Sequence, residues 1–355
     1  MGGLTPVGDD DQGLGPGYHS AQVEVAVRLN TNESPYPPPA GFVAALAASV
    51  SSISFNRYPD REATALRSGL AQMHGVDPEN VFCANGSNEV LQTLLLAYGG
   101  PGRSAAVFEP TYTLHGHIAR LTRTTVAVGE RTAALALDLG EVKRVLTDAR
   151  PAVTFLCSPN NPTGEALAEE VVREVLDLAP GLVVVDEAYG QFAPWSARAL
   201  VADDVALVVA RTYSKTWSMA AARLGYLIGP ASVIAEVERR ALPYHLDAVK
   251  QAAGLLALDY RAEMEYRVTA VAAERDRLAS ALSEMAVETW PSDANFILFR
   301  PLQRDGHAVW QALVERSVLV RDCSSWPRLA GCLRVTVGTP EEDDMFLTAL
   351  AEVLA

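Results

Sequence analysis

Apolar residues in this chain come in short unbroken runs, each closed by a polar cluster. The runs are 80–84, 105–108, 152–157, 181–185 and 205–210. Runs without alternation are typical of strands buried on both faces of a parallel sheet. Stretches of helical spacing, such as 90–98, stand between them. The alternation predicts an α/β fold, with a large domain whose mostly parallel central sheet is sandwiched by helices. Ligands then gather at the carboxyl ends of the strands, where all five polar clusters fall. A long charged helical stretch, 248–285, follows. Two further strand-like runs, 294–299 and 332–337, then complete a smaller α+β domain. Residues 1–27 are rich in Gly, Asp and Pro with little periodicity. The prolines at 35 and 37–39 exclude helix or central strand there. The expected division is therefore an arm at 1–39 that joins the small domain, a large domain at 40–245 and a small domain at 246–355.

Composition narrows the partners. A hydrophobic content of 49% with 20% charged residues is that of a soluble globular chain, and no apolar run reaches membrane-span length. The first residues lack the basic-then-apolar order of a signal peptide, and Pro6 breaks the myristoylation pattern. A net charge of -14 argues against nucleic acid and anionic membranes as partners. It leaves room for an anionic substrate, because a few converging arginines outweigh a screened distant field. Cys83, Cys157, Cys323 and Cys332 form no CxxC pair, so free thiols in a reducing cytoplasm are expected. His115 and His117 are two apart and would point to different faces of a helix, which excludes a metal pair; neither is given a role. No glycine-rich dinucleotide fingerprint, Walker lysine or nucleophile elbow occurs.

The polar clusters carry the chemistry. Lys215 lies in Arg211-Thr212-Tyr213-Ser214-Lys215-Thr216-Trp217, after the run 205–210. Alone, such a lysine is an ordinary solvated one. Here Thr212, Ser214 and Arg223 add two hydroxyls and a guanidinium, a phosphate cradle with an amine at its edge. Asp186 ends another run, where an unpaired buried carboxylate is costly. A pyridinium cation would remove that cost, though a helix N-cap would too. A strand ending in an acid, then a strand leading to an amine, is what a pyridoxal phosphate enzyme needs: the lysine condenses with the coenzyme aldehyde, and the acid keeps the ring nitrogen protonated. Gly86, Ser87 and Asn88 open a helix, a place for an anion or simply a cap. Asn161 and Tyr189 follow strand ends and can donate to a phenolic oxygen. Tyr112 can stack on a ring or fill core. Arg321 and Arg334 are either solvated or the bidentate receptor for a substrate anion.

With these residues assembled, the chain resembles the fold-type I pyridoxal phosphate aminotransferases of class I/II, and within them the histidinol-phosphate aminotransferases. The motifs are Leu29-Asn30-Thr31-Asn32-Glu33-Ser34-Pro35, Arg57-Tyr58-Pro59-Asp60, the stretch 158–164, Asp186-Glu187-Ala188-Tyr189, Thr212-Tyr213-Ser214-Lys215 and Gly331-Cys332-Leu333-Arg334-Val335-Thr336-Val337-Gly338. The resemblance implies pyridoxal 5'-phosphate as cofactor and 40–245 as the domain that binds it. It implies Lys215, Asp186 and Tyr189 as catalytic residues. Gly86, Ser87, Asn88, Tyr112, Asn161, Thr212, Ser214 and Arg223 are implied around the coenzyme. Tyr58 of the partner subunit is implied at its phosphate, in a homodimer with shared sites. Tyr18, Asn32, Arg321 and Arg334 are the implied substrate residues. The implied substrates are histidinol phosphate with 2-oxoglutarate, or imidazole-acetol phosphate with glutamate in histidine biosynthesis. Three positions depart from the family pattern: Ser34 for Asn, Trp217 for Phe and Ala221 for Gly. The first is expected to alter loop contacts near the substrate, the others packing near the phosphate cradle. The alternatives are an aromatic or broad-specificity aminotransferase, a threonine-phosphate decarboxylase and a non-catalytic binding module of the same fold.

Overall fold

The computed structural model describes residues 21–355. In chain order the strands are β1 (Val27–Leu29), β2 (Val81–Ala84), β3 (Ser104–Glu109), β4 (Thr125–Glu130), β5 (Val153–Cys157), β6 (Leu182–Asp186), β7 (Leu207–Thr212), β8 (Gly225–Ile228), β9 (Val287–Thr289), β10 (Phe296–Pro301), β11 (Val318–Asp322) and β12 (Leu333–Thr336). The helices are α1 (Ala40–Ser51), α2 (Thr64–His74), α3 (Ser87–Tyr98), α4 (Leu114–Leu121), α5 (Leu139–Ala149), α6 (Glu169–Leu178), α7 (Ala231–Glu238), α8 (Ala248–Ala257), α9 (Arg261–Ser283), α10 (Gly306–Glu315) and α11 (Pro340–Leu354).

Seven strands form one sheet in the order β2-β8-β7-β6-β5-β3-β4. The pairs from β7 to β4 are parallel, and β8 alone runs antiparallel to both of its neighbours. The mostly parallel α/β architecture expected from the apolar runs is present. Strands β5, β6 and β7 are buried at every position. Their pleat sends alternate residues to opposite layers. Val184 and Val208 pack with Val90 and Leu94 of α3 and Val237 of α7. Val183, Val185 and Val209 pack with Val142 of α5 and Val172 and Val175 of α6. Each buried valine contributes about 1.5–3 kcal/mol relative to exposure. A one-residue slip of β6 would exchange its two layers and expose Asp186 to the wrong side.

The other sheet has the order β1-β11-β12-β10-β9. Strand β1 joins it parallel to β11, with Val27 opposite Val318, and the remaining pairs are antiparallel. Leu278 of α9, Leu313 of α10 and Phe346 of α11 close its core. Helix α11 starts on a capping box, Thr339 with Glu342, with Pro340 in its first turn. The helical stretch expected over 248–285 is two helices. A single 3-10 turn, Leu258–Tyr260, parts α8 from α9. The Tyr260 ring meets Phe42 of α1 edge-on at 5.8 Å, a tertiary contact with no glycine or proline to announce it. Among the described residues no helix is long and apolar enough to cross a membrane.

Candidate active site

A cleft opens at the carboxyl ends of the parallel strands. Ser87 and Asn88 reach it from the start of α3, and Tyr112 from beyond β3. Cys157 and Asn161 come from β5 and its exit, and Asp186, Ala188 and Tyr189 from β6 and its exit. Thr212, Ser214 and Lys215 follow from β7, and Arg223 stands just before β8. The smaller sheet supplies Thr31 and Asn32, which follow β1, and Arg334 of β12.

Part of the cleft wall is built for an anion. Gly86 precedes α3 with φ +84, and a Cβ there would lie 2.9 Å from Arg223 Nη2. A Cβ on Gly225 would lie 2.4 Å from the Ser87 nitrogen. Two absent side chains therefore let the amino end of α3, the guanidinium and β8 converge. Thr212 Oγ1 donates to Ser214 Oγ at 3.0 Å, and Arg223 Nη1 donates to Ser214 Oγ at 3.2 Å. Hydroxyls, a guanidinium and the free N–H groups of a helix start form an anion cradle.

Asp186 lines the same cleft and is buried, with Oδ1 accepting from the Ala188 nitrogen at 3.0 Å. Its Oδ2 accepts from His115 Nε2 at 2.9 Å. A carboxylate only accepts, so the contact itself assigns the proton to Nε2. The His115 ring stacks on Phe155 at 4.7 Å. Sequence reasoning gave His115 no role, and the structure corrects this. The residue holds Asp186, and no local motif marks it because α4 and β6 meet only through the fold. Glu187, next in the chain, was missed as well. It accepts from Arg211 Nε at 3.0 Å and Nη2 at 2.6 Å, and from the Ala197 nitrogen at 2.6 Å. This buried pair ties the end of β6 to the end of β7, and so Asp186 to Thr212.

Lys215, on the same cleft, donates from Nζ to the Thr31 carbonyl at 2.9 Å and lies 5.8 Å from the Tyr189 ring centroid. Burial first, then the Arg334 charge, lower its pKa from 10.5 to about 7; Glu33 opposes this and Arg223 adds to it. Near neutral pH about half of such an amine is thus neutral and able to act as a base or nucleophile.

The side of the cleft that the smaller sheet supplies is ordered by amides. Arg334 is buried; its Nη1 donates to Asn161 Oδ1 and its Nη2 to the Asn30 carbonyl at 3.0 Å. Those bonds use two of the guanidinium's five N–H donors. With its oxygen engaged, Asn161 offers the cleft its amide N–H₂ group. Asn32 donates from Nδ2 to the Tyr189 hydroxyl at 2.9 Å, and Thr336 Oγ1 donates to its Oδ1 at 3.1 Å. Asn32 itself sits at φ +54, a conformation asparagine tolerates. The Tyr112 hydroxyl donates to Asn88 Oδ1 at 3.2 Å.

Three expected site residues remain. Arg321 stands directly opposite the cleft-lining Arg334, on the neighbouring strand β11. Tyr58 is 80% exposed, stacks on Tyr244 at 4.5 Å and stands apart from its own chain's cleft. Tyr18 lies outside the described residues. Of the three departures from the family pattern, Ser34 bonds Ser218 Oγ at 2.9 Å and does not line the cleft. Trp217 is buried against Tyr213, with ring centroids 5.3 Å apart. Ala221 is exposed on the turn Ala220–Ala222, whose Ala220 carbonyl accepts from Arg223 Nη1 at 3.2 Å.

Residues 24–350 match the family described as aminotransferase class I and II. The chain belongs to that family. Among its relatives, the histidinol-phosphate aminotransferase of Thermobifida fusca is 46% identical over 97% of this chain and 94% of that protein. The histidinol-phosphate aminotransferase of Frankia casuarinae is 45% identical over 98% and 90%. The solved histidinol-phosphate aminotransferase of Sinorhizobium meliloti, a complex with pyridoxal-5'-phosphate, shares the fold. Its TM-score is 0.85 at 21% identity, covering 93% of this chain and 91% of that one.

Proposed function

We propose that this chain is a histidinol-phosphate aminotransferase dependent on pyridoxal 5'-phosphate, acting in histidine biosynthesis. It exchanges the amino group between L-histidinol phosphate and 2-oxoglutarate; imidazole-acetol phosphate and L-glutamate are the partners in the opposite, biosynthetic direction. The observation that carries the reading is the joining of Lys215, Asp186 and Arg334 on one cleft. The identity of 45–46% with histidinol-phosphate aminotransferases supports the same substrate.

The residues present fit the coenzyme. The cradle that a Cβ at Gly86 would crowd suits a phosphate, held by Gly86, Ser87, Asn88, Thr212, Ser214 and Arg223. Asp186, oriented by His115, would pair with a protonated ring nitrogen. Tyr112 would cover the ring, and Asn161 and Tyr189 would donate to its phenolic oxygen. Bound there, pyridoxal phosphate supplies an electron-withdrawing ring that stabilises the charge left when an α-proton departs. Lys215 Nζ takes that proton as general base and returns it as general acid. In the coenzyme-free chain, burial and Arg334 already lower its pKa to about 7. Arg334 and Arg321 receive the phosphate of one substrate and the carboxylates of the other, and Tyr18 and Asn32 are the remaining substrate residues of this reading.

Several features complete the reading. Residues 1–39, 40–245 and 246–355 act as arm, coenzyme domain and small domain. The enzyme is cytoplasmic and a homodimer. The exposed Tyr58–Tyr244 stack suits an interface through which Tyr58 of the partner subunit reaches the phosphate.

A substrate panel tests the proposal, with histidinol phosphate and phenylalanine each offered to the holoenzyme with 2-oxoglutarate. Histidinol phosphate is expected to give the higher kcat/KM. Preference for phenylalanine would instead assign an aromatic aminotransferase.

A further inference from the structure

Arg321 and Arg334 stand directly opposite on β11 and β12, and both are buried. Like charges so placed repel, more strongly away from water. Arg334 is steadied by Asn161, the Asn30 carbonyl and the Phe296 ring at 5.1 Å. One aromatic side chain is common to both arginines. The Trp326 ring centroid lies 5.7 Å from Arg321 Cζ and 6.0 Å from Arg334 Cζ. An indole ring attracts such cations.

Trp326 lies off the cleft wall, in the connection between β11 and β12. Its place is fixed. Its nitrogen donates to the Cys323 carbonyl at 2.9 Å, and its carbonyl accepts from the Leu329 nitrogen at 3.1 Å. Its ring packs on the buried cluster of Leu135, Leu298, Cys323, Leu329 and Cys332. The same connection is tied to the end of β4 by Arg328 Nη1 and Glu130 Oε2, 2.5 Å apart.

We propose that Trp326 is a positioning residue that keeps the two guanidinium groups together, and so makes the substrate wall selective for doubly charged anions. This rests on the reading above that Arg321 and Arg334 receive the substrate's anionic group. A phosphate monoester or a dicarboxylate neutralises both arginines at once. A monocarboxylate engages Arg334, whose other bonds hold it without Trp326. Losing the indole therefore costs a dianion more than a monoanion.

The test is calorimetric titration of the holoenzyme with glutarate and with butyrate, a dianion and a monoanion that do not react. The wild type prefers glutarate. Trp326→Met lowers glutarate affinity about tenfold and shifts butyrate less than about twofold. Trp326→Phe restores most of the preference, because a ring face returns. In an Arg321→Leu background, Trp326→Met lowers the preference no further, since the effect passes through Arg321. An unchanged ratio in Trp326→Met, or equal loss in Trp326→Phe, overturns the role of Trp326 alone. Absence of preference in the wild type overturns the arginine assignment and this inference with it. Because the ratio is measured within each variant, partial loss of folded protein does not imitate the result.

Discussion

The chain has three lysines, Lys143, Lys215 and Lys250, so the state of one amine can be read against two others on a single peptide map. Lys143 is exposed, and Lys250 pairs with Asp247 at 2.8 Å. Lys215 is withdrawn from water beside Arg334 and Arg223, which brings its pKa to about 7. At pH 7 about half of such amines are neutral, against roughly one in three thousand for an amine at its ordinary value. The neutral fraction is thus enriched about a thousandfold. The assay is pulsed acylation of the coenzyme-free chain from about pH 5 to about pH 11, with Lys215 modification followed by mass spectrometry. The midpoint is expected near 7, and Arg334→Leu moves it upward by removing the largest charge contribution. Between about 7 and 10.5 the unfolded chain binds more protons at this residue than the folded one. Its contribution to folding stability therefore rises with pH across that window. A midpoint above about pH 9, or one unmoved by Arg334→Leu, would refute the reasoning.

His115→Phe keeps a ring against Phe155 but removes the bond to Asp186. A hydrogen bond to a charged group contributes about 1.5–3 kcal/mol, so coenzyme affinity is expected to fall at least about tenfold in an absorbance titration, with the circular dichroism spectrum retained. Unaltered affinity would deny His115 its part in holding Asp186. Glu187→Gln leaves the buried Arg211 without its counter-ion. The expected loss is about 3–5 kcal/mol of stability, read as a lower urea midpoint at constant slope; a wild-type midpoint would show that the pair does not brace β6 against β7.

The sequence displayed the centre of the large sheet because β5, β6 and β7 are apolar at successive positions and end in unlike polar clusters. It concealed β4, whose half-exposed Thr125–Glu130 lies at the sheet edge, and β8, only four residues long. Lys215 and Asp186 were legible because each chemistry is written in a short strand-end motif. His115 was not, since its bond to Asp186 joins residues 71 apart and depends on how α4 seats against Phe155. Asn32 and Thr336 are 304 residues apart, and no local spacing foretells their exchange. Glu187 was visible within its motif, yet its counter-ion lies on a different strand.

Thr212 and Gly225 stand directly opposite on β7 and β8, and the span they enclose holds both Lys215 and Arg223. Reactive amine and anion anchor are thus metered by the contour length of a single hairpin connection. Helices packed outside the sheet can shift or lengthen without altering that interval, whereas one inserted residue inside it would throw both groups out of alignment. For anyone recombining such enzymes, this span is a cassette to be moved whole, and the crossover points belong in the ladder that flanks it.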